Sequence, residues 1–311
     1  MNDQLAFIFP GQGSQAVAML SSFADSDVVA ATFKEASDAL GYDLWALCQE
    51  GPDTELNKTD KTQPALLTAS VALWRLWQEQ TSVQPSVLAG HSLGEYSALV
   101  CAGVFSLADA VQLVEARGQF MQQAVAEGSG KMAAIIGLDD ALIVEACNEA
   151  AEGEVVSPVN YNSPGQVVIA GNADAVERAM VLCKEKGAKK AMPLKVSVPS
   201  HCALMSPAAE KLAEKLASIA FNTPNVAVIN NVDVAKASSE SDIRDALVRQ
   251  LFNPVRWTET VQVMKEQGIT TLVEMGPGKV LSGLNKRISR ELTSYSVGEK
   301  EAFEKVIEEL K

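Results

Sequence analysis

VLAGHSLGEYSALVCAG, residues 87–103, changes from an extended apolar run to a helical pattern across Gly90–Gly94. The turn itself is Gly90-His91-Ser92-Leu93-Gly94, a G-x-S-x-G pattern. A strand before it and a helix after it are the setting of a nucleophile elbow, which exposes a serine on a tight turn. Gly90 and Gly94 let the backbone crowd together there without a Cβ in the way. The helix start leaves N–H groups unpaired beneath the serine, so the Leu93 N–H is placed to meet an oxyanion. A second donor has to come from a neighbouring strand-to-loop turn. LAFIF at 5–9 reads as a buried strand that stops at Pro10 and enters GQGSQ, which offers the N–H of Gln12. The structural alternative is a Gly-Ser-Gly turn that only starts a helix.

Further strands are expected at 226–230 (VAVIN) and 270–275 (TTLVEM), with helices between. One helix starts at Ser106 with Asp109 as its capping-box partner. This alternation indicates an α/β fold with a mainly parallel sheet. Residues 128–197 differ. After the link EGSGK they read strand, helix, strand, turn, strand, helix and a final strand near KKAMPLKV. That is the βαββαβ order of a ferredoxin-like unit. The expected organisation is a large domain of residues 1–127 and 198–311 with a small domain of 128–197 inserted in it.

The 311 residues are 47% apolar and 21% charged, which suits a chain with a sizeable core. No apolar run is long enough to cross a bilayer, and MNDQLAFIFP lacks the features of a signal peptide. Cys48, Cys101, Cys147, Cys183 and Cys202 are odd in number, and none are two apart. A disulfide framework or zinc knuckle is therefore not expected, and a reducing cytoplasm is. The net charge of −13 argues against nucleic acid as a partner. An acidic partner would need a local basic patch.

A serine hydroxyl needs a base to become a nucleophile. The chain has two histidines, His91 and His201. Adjacent residues on an extended segment point to opposite faces, so His91 cannot easily reach Ser92. His201 lies in VPSHC, a loop after the expected insert, where such folds keep functional groups. No acid follows in the order of α/β-hydrolases, so a backbone carbonyl is the candidate to orient His201. On the helix from Ser106, three-and-four spacing puts Arg117 on the apolar face with Leu107, Val111, Val114 and Met121. A buried guanidinium keeps its proton and needs an anion. Spacing leaves open whether that anion is an Asp or Glu of this chain or a substrate carboxylate.

FPGQGSQ at 9–15, TQPALL at 62–67, GHSLGEYSAL at 90–99, EARGQFMQ around Arg117, VNYNSPGQVVIAG at 159–171, VPSHC at 198–202, FNPVRW at 252–257 and EMGPGKVLSGL at 274–284 occur in order. Together they resemble the malonyl-CoA:acyl carrier protein transacylases of bacterial type II fatty-acid synthesis, an acyltransferase family. The resemblance implies a hydrolase-like large domain, a ferredoxin-like small domain and an active site between them. It implies ping-pong transfer of malonyl from malonyl-CoA to acyl carrier protein through an ester on Ser92. His201 would be the base, Gln12 and Leu93 the oxyanion hole, and Arg117 the holder of the malonyl carboxylate. The backbone carbonyl of Gln250 would orient His201, with Gln63, Asn162 and Ser200 lining the pocket. No metal or redox cofactor is implied, since the coenzyme A thioester is itself the substrate. Related polyketide synthase domains vary the residues before the histidine, which here are Val198-Pro199-Ser200.

Carrier proteins are typically acidic, so docking would need basic residues. Lys286 and Arg290 are four apart on what reads as the C-terminal helix, with Arg287 beside them; Lys189, Lys190 and Lys195 form a second group. A solvated helix face explains either group as well as docking does. The expected state is a monomer with no membrane partner. A serine esterase or thioesterase would use the same elbow and histidine, and a carrier-binding module with a dead site is a further rival.

Overall fold

The computed structural model describes residues 2–195 and 198–311. Among these the strands are β1 (Asn2–Phe9), β2 (Pro85–Gly90), β3 (Gly130–Ile136), β4 (Val156–Ser163), β5 (Gln166–Asn172), β6 (Lys190–Pro193), β7 (Ala227–Ile229), β8 (Thr271–Glu274) and β9 (Thr293–Ser296). They form a sheet of order β7-β2-β1-β8-β9 and a second of order β4-β5-β3-β6.

Every pairing in the first sheet is parallel. Parallel strands are covered on both faces, which is why β1 reads as a continuous apolar run rather than an alternation. Leu5, Phe7 and Phe9 enter the core that contains Leu73, Trp74 and Trp77 of helix Thr59–Gln80. Ala6 and Ile8 point the other way, into the core with Trp257 and Val261. Phe7 meets Trp74 and Trp77 edge to face at 5.7 and 5.0 Å. Burying Phe7 or Phe9 contributes about 1.5–3 kcal/mol each.

The helix Leu107–Gln123 is capped as its sequence indicates. Ser106 Oγ accepts from Asp109 N at 3.0 Å and donates to the Asp109 carboxylate at 2.7 Å. Leu107, Val111, Val114, Arg117 and Met121 are all buried on its inner face. In the EMGPGKVLSGL stretch, buried Glu274 accepts from the N–H groups of Leu281 and Ser282 at 3.0 and 2.8 Å. Its carboxylate anchors the start of helix Val280–Ile288, where a negative charge is favoured.

The second sheet is antiparallel throughout. Its order is that of the split βαββαβ unit. Helices Asp140–Ala151 and Ala173–Glu185 cover one face, closing a core that includes Ile135, Ile143, Val167, Ile169 and Val176. From the opposite face Met132, Val168 and Ala170 pack against Cys202, the neighbour of His201. Strand β4 also bonds to the rest of the chain: Tyr161 N donates to Val255 O at 3.0 Å and Val255 N to Val159 O at 2.8 Å.

Three features differ from the sequence reading. Strand β9 (TSYS) was not expected, because it is short and polar, and pairing with β8 defines it. Arg290 lies beyond helix Val280–Ile288, which is followed by a further helix, Lys300–Leu310, so the expected four-residue spacing along one C-terminal helix does not hold. The last expected strand ends at Pro193, and Val196 and Ser197, the end of the expected insert, lie outside the described residues. Among the described residues no helix is long and apolar enough to cross a membrane.

Candidate active site

Ser92 sits between β2 and helix Leu93–Cys101 with φ 52° and ψ −109°. A positive φ outside glycine stores about 1–3 kcal/mol of strain and persists only when neighbours enforce it. Two neighbours do so here. A Cβ on Gly94 would lie 2.0 Å from Phe9 O and one on Gly90 would lie 1.9 Å from the Gly94 carbonyl carbon, so glycine alone lets the turn close against β1. The Asn231 carboxamide then clamps both sides of the serine. Its Oδ1 accepts from Ser92 N and its Nδ2 donates to Gly90 O, each at 2.7 Å.

His201 Nε2 lies 2.7 Å from Ser92 Oγ, although 109 residues separate them. The other ring nitrogen, Nδ1, lies 2.7 Å from Gln250 O. A carbonyl can only accept, so Nδ1 carries the proton and Nε2 is left to receive one from the hydroxyl. Gln250 ends helix Glu240–Gln250. Its carbonyl is one of the orphan acceptors of a helix C-terminus, where partial negative charge favours an imidazolium. His201 N donates to Leu251 O at 3.0 Å, tying backbone and side chain to the same helix end. Burial first, and the Arg117 cation second, push His201 down to about 3, so its ring is neutral at physiological pH.

Arg117 is 1% exposed. Its guanidinium donates to Gln63 Oε1 at 2.6 Å, to Gln250 Oε1 at 3.0 Å and to Ser92 Oγ at 3.4 Å. The face of Tyr96 lies 5.2 Å away. Among the described residues no carboxylate forms an ion pair with it. The question left open by helical spacing is thus answered on the protein's side: the direct partners are two neutral amides and a hydroxyl. Burial lowers the Arg117 pKa, with Tyr96 and Glu95 opposing.

These groups border a cavity of about 110 Å³. It has room for a few waters, each occupying about 30 Å³ in the liquid, or for a small acyl group. Gln12, Leu93, Gln63 and Ser200 also line it, as do Met121 and Met132. Asn162 is placed differently: its Oδ1 lies 2.8 Å from His91 Nε2, and Asn160 borders the cavity. Lys286, Arg287 and Arg290 are exposed, as are Lys189, Lys190 and Lys195. Arg287 bonds to Gln166 at the start of β5. A larger groove of about 640 Å³ beside Phe33 and Trp45 is lined by neither histidine and not by Ser92.

Three groups at the site had no place in the sequence reading: the Asn231 carboxamide, the Gln250 side chain and Glu95. Glu95 Oε2 accepts from Asn231 N at 2.9 Å and from Gln250 Nε2 at 2.8 Å. Burial pushes Glu95 up to about 7, against the pull of these two donors. A charged residue in the otherwise uncharged LGEYSALVC was the available signal.

A strained serine in contact with a neutral imidazole, on a parallel α/β sheet, is the chemistry of a serine-nucleophile enzyme. The chain belongs to the acyl transferase domain family, whose pattern matches residues 6–300. It is 65% identical over 306 residues to the malonyl CoA-acyl carrier protein transacylase of Escherichia coli K12, covering 98% of this chain and 99% of that one. Its fold matches the crystal structure of an acyl carrier protein S-malonyltransferase from Vibrio cholerae, with TM-score 0.96, 62% identity and coverage of 97% and 99%. A malonyl-transacylase solved with its type II PKS acyl-carrier protein matches at TM-score 0.97 and 60% identity, covering 98% and 99%.

Proposed function

We propose that this protein transfers the malonyl group from malonyl-CoA to the phosphopantetheine thiol of acyl carrier protein, supplying the extender unit for fatty-acid synthesis. One observation carries the reading: a buried guanidinium with no ion-pair partner among the described residues stands 3.4 Å from Ser92 Oγ. A substrate carboxylate would give that cation the anion it lacks.

Ser92 Oγ attacks the thioester carbonyl while its proton passes to His201 Nε2. The carbonyl oxygen gains the negative charge, and the N–H groups of Gln12 and Leu93 stabilise it. The C–S bond then breaks, the sulfur takes the proton from His201, and coenzyme A leaves as the thiol. Malonyl remains as an ester on Ser92, with Arg117 on its carboxylate. The carrier's thiol reverses the sequence. A thioester and an oxygen ester exchange here without any oxidant or reductant, so the scheme calls on no cofactor.

The βαββαβ unit, with a core of its own, supports a small domain of 128–197 that closes the cleft over a large domain of 1–127 and 198–311. The unpaired cysteines, all five buried, fit a cytoplasmic setting.

Incubation with radiolabelled malonyl-CoA should place label on Ser92, and acyl carrier protein should then remove it. Release to water alone at the same rate would identify a hydrolase, and absence of label would overturn the reading. For docking, Lys286 and Arg287 are exposed, and Arg287 bonds to Gln166 of the second sheet. Reversing both with Lys286→Glu and Arg287→Glu should raise KM for the carrier roughly tenfold and spare exchange with coenzyme A. Equal effects on both half-reactions would remove the patch from consideration.

A further inference from the structure

Arg117 borders the cavity with no ion-pair partner among the described residues, and one amide bridges it to the Glu95 carboxylate. Gln250 is that amide. Its Nε2 donates to Glu95 Oε2 at 2.8 Å and to Ser92 O at 3.1 Å, while its Oε1 accepts from Arg117 at 3.0 Å. The two ends of a carboxamide are nearly equal in shape and opposite in hydrogen-bonding sense, so its neighbours decide which way it points.

We propose that Glu95 is a positioning residue for carboxylate recognition: it fixes the polarity of the Gln250 amide, so that an oxygen rather than an NH2 group meets Arg117. The inference rests on malonyl as the transferred group.

The geometry leaves the amide one satisfied orientation. Reversing it would set oxygen against Glu95 Oε2 and Ser92 O, and NH2 against the guanidinium. Ser92 O, which also accepts from Glu95 N at 3.0 Å, is a neutral acceptor and so a weaker constraint than a carboxylate. Glu95 is 2% exposed, and Asn231 N anchors the same carboxylate oxygen at 2.9 Å. Asn231 also clamps the serine turn, so one carboxylate braces both the elbow and the guanidinium. The intervening amide has a second consequence. A carboxylate bonded directly to Arg117 would neutralise it and compete with the substrate. Gln63 and Gln250 instead hold the cation while leaving its charge for the substrate.

The variant Glu95→Gln keeps shape and replaces an accept-only, charged group by a neutral amide that can also donate, which loosens the hold on the Gln250 amide. The readout is the ratio of kcat/KM for malonyl-CoA to that for acetyl-CoA, with folding checked by circular dichroism. The ratio should fall about tenfold, chiefly through a higher KM for malonyl-CoA. A merely structural role would lower both substrates alike, and that result, or an unchanged ratio, overturns the inference. If Glu95→Gln does not fold, Glu95→Asp carries the test. It keeps the charge but draws the carboxylate back from the Gln250 amide. There too the ratio should fall, and a preserved ratio again overturns the inference. If the wild-type protein takes malonyl and the variants keep its selectivity, this inference fails alone. If the wild type takes no malonyl, the function on which it rests has failed.

Discussion

Replacing Arg117 by alanine should lower kcat/KM for malonyl-CoA by about two to three orders of magnitude while acetyl-CoA is used as well as before or better. Removing one partner of a buried, hydrogen-bonded charge pair costs about 2–5 kcal/mol, much of it from stranding the other charge. Here the stranded charge would be the malonyl carboxylate, in a cavity of about 110 Å³. The effect on acetyl runs the other way. In the wild type an acetyl group leaves the guanidinium desolvated and facing only Gln63 and Gln250, and sites built to bond a polar substrate group reject analogues that lack it. Alanine removes that penalty. Steady-state kinetics on both thioesters decide the matter, with a melting curve to confirm folding because a buried side chain is deleted. Malonyl selectivity equal to that of the wild type would refute the role of Arg117.

His201→Ala should slow acylation of Ser92 by about two to four orders of magnitude or more, since general acid–base catalysis typically contributes about 10²–10⁴-fold and a base that acts as a unit with its nucleophile contributes more. The pH dependence makes the prediction sharper. An ordinary histidine, with pKa about 6.5, would be half protonated and half inactive as a base at pH 6.5. Burial and the Arg117 cation hold His201 down to about 3. Its base form therefore persists as pH falls, so protonation of His201 should produce no acid limb in kcat/KM for malonyl-CoA between pH 8 and about 5. A carboxylate bound to Arg117 cancels part of the repulsion, so protonation becomes easier in the complex. The acid limb of kcat should then lie at higher pH than that of kcat/KM, since the first reports the complex and the second the free enzyme. In Arg117→Ala both limbs should move up. A kcat/KM limb near pH 6.5 that persists in Glu95→Gln, where no carboxylate is left to titrate at that position, would contradict the placement of Arg117 beside a buried imidazole.

Much of this was legible in short stretches of sequence because its causes are local. An apolar run before Gly90 and a helical pattern after Gly94 define the elbow, and the backbone contact at Gly94 explains why no side chain fits there. The capping pair Ser106 and Asp109 sets the phase of a helix, and 3.6-residue periodicity then turns Arg117 inward. The order of strands and helices in 130–193 likewise follows from period and turn chemistry.

Other features have no local cause. Strand β9, with a single large apolar residue, is a strand because β8 offers it an edge. The contact of His201 with Ser92 spans 109 residues, that of Asn231 with Glu95 spans 136 and that of Gln250 with Ser92 spans 158. Each depends on where the ends of separate strands and helices arrive once both faces of the parallel sheet are covered. Residue spacing along one element specifies its buried face, but which groups meet across elements is set by the packing of the cores between them. By itself the sequence therefore determined the elbow, the inward arginine and the succession of elements. Tertiary packing decided the tautomer of His201, the neutral company of Arg117 and the carboxylate brace behind it.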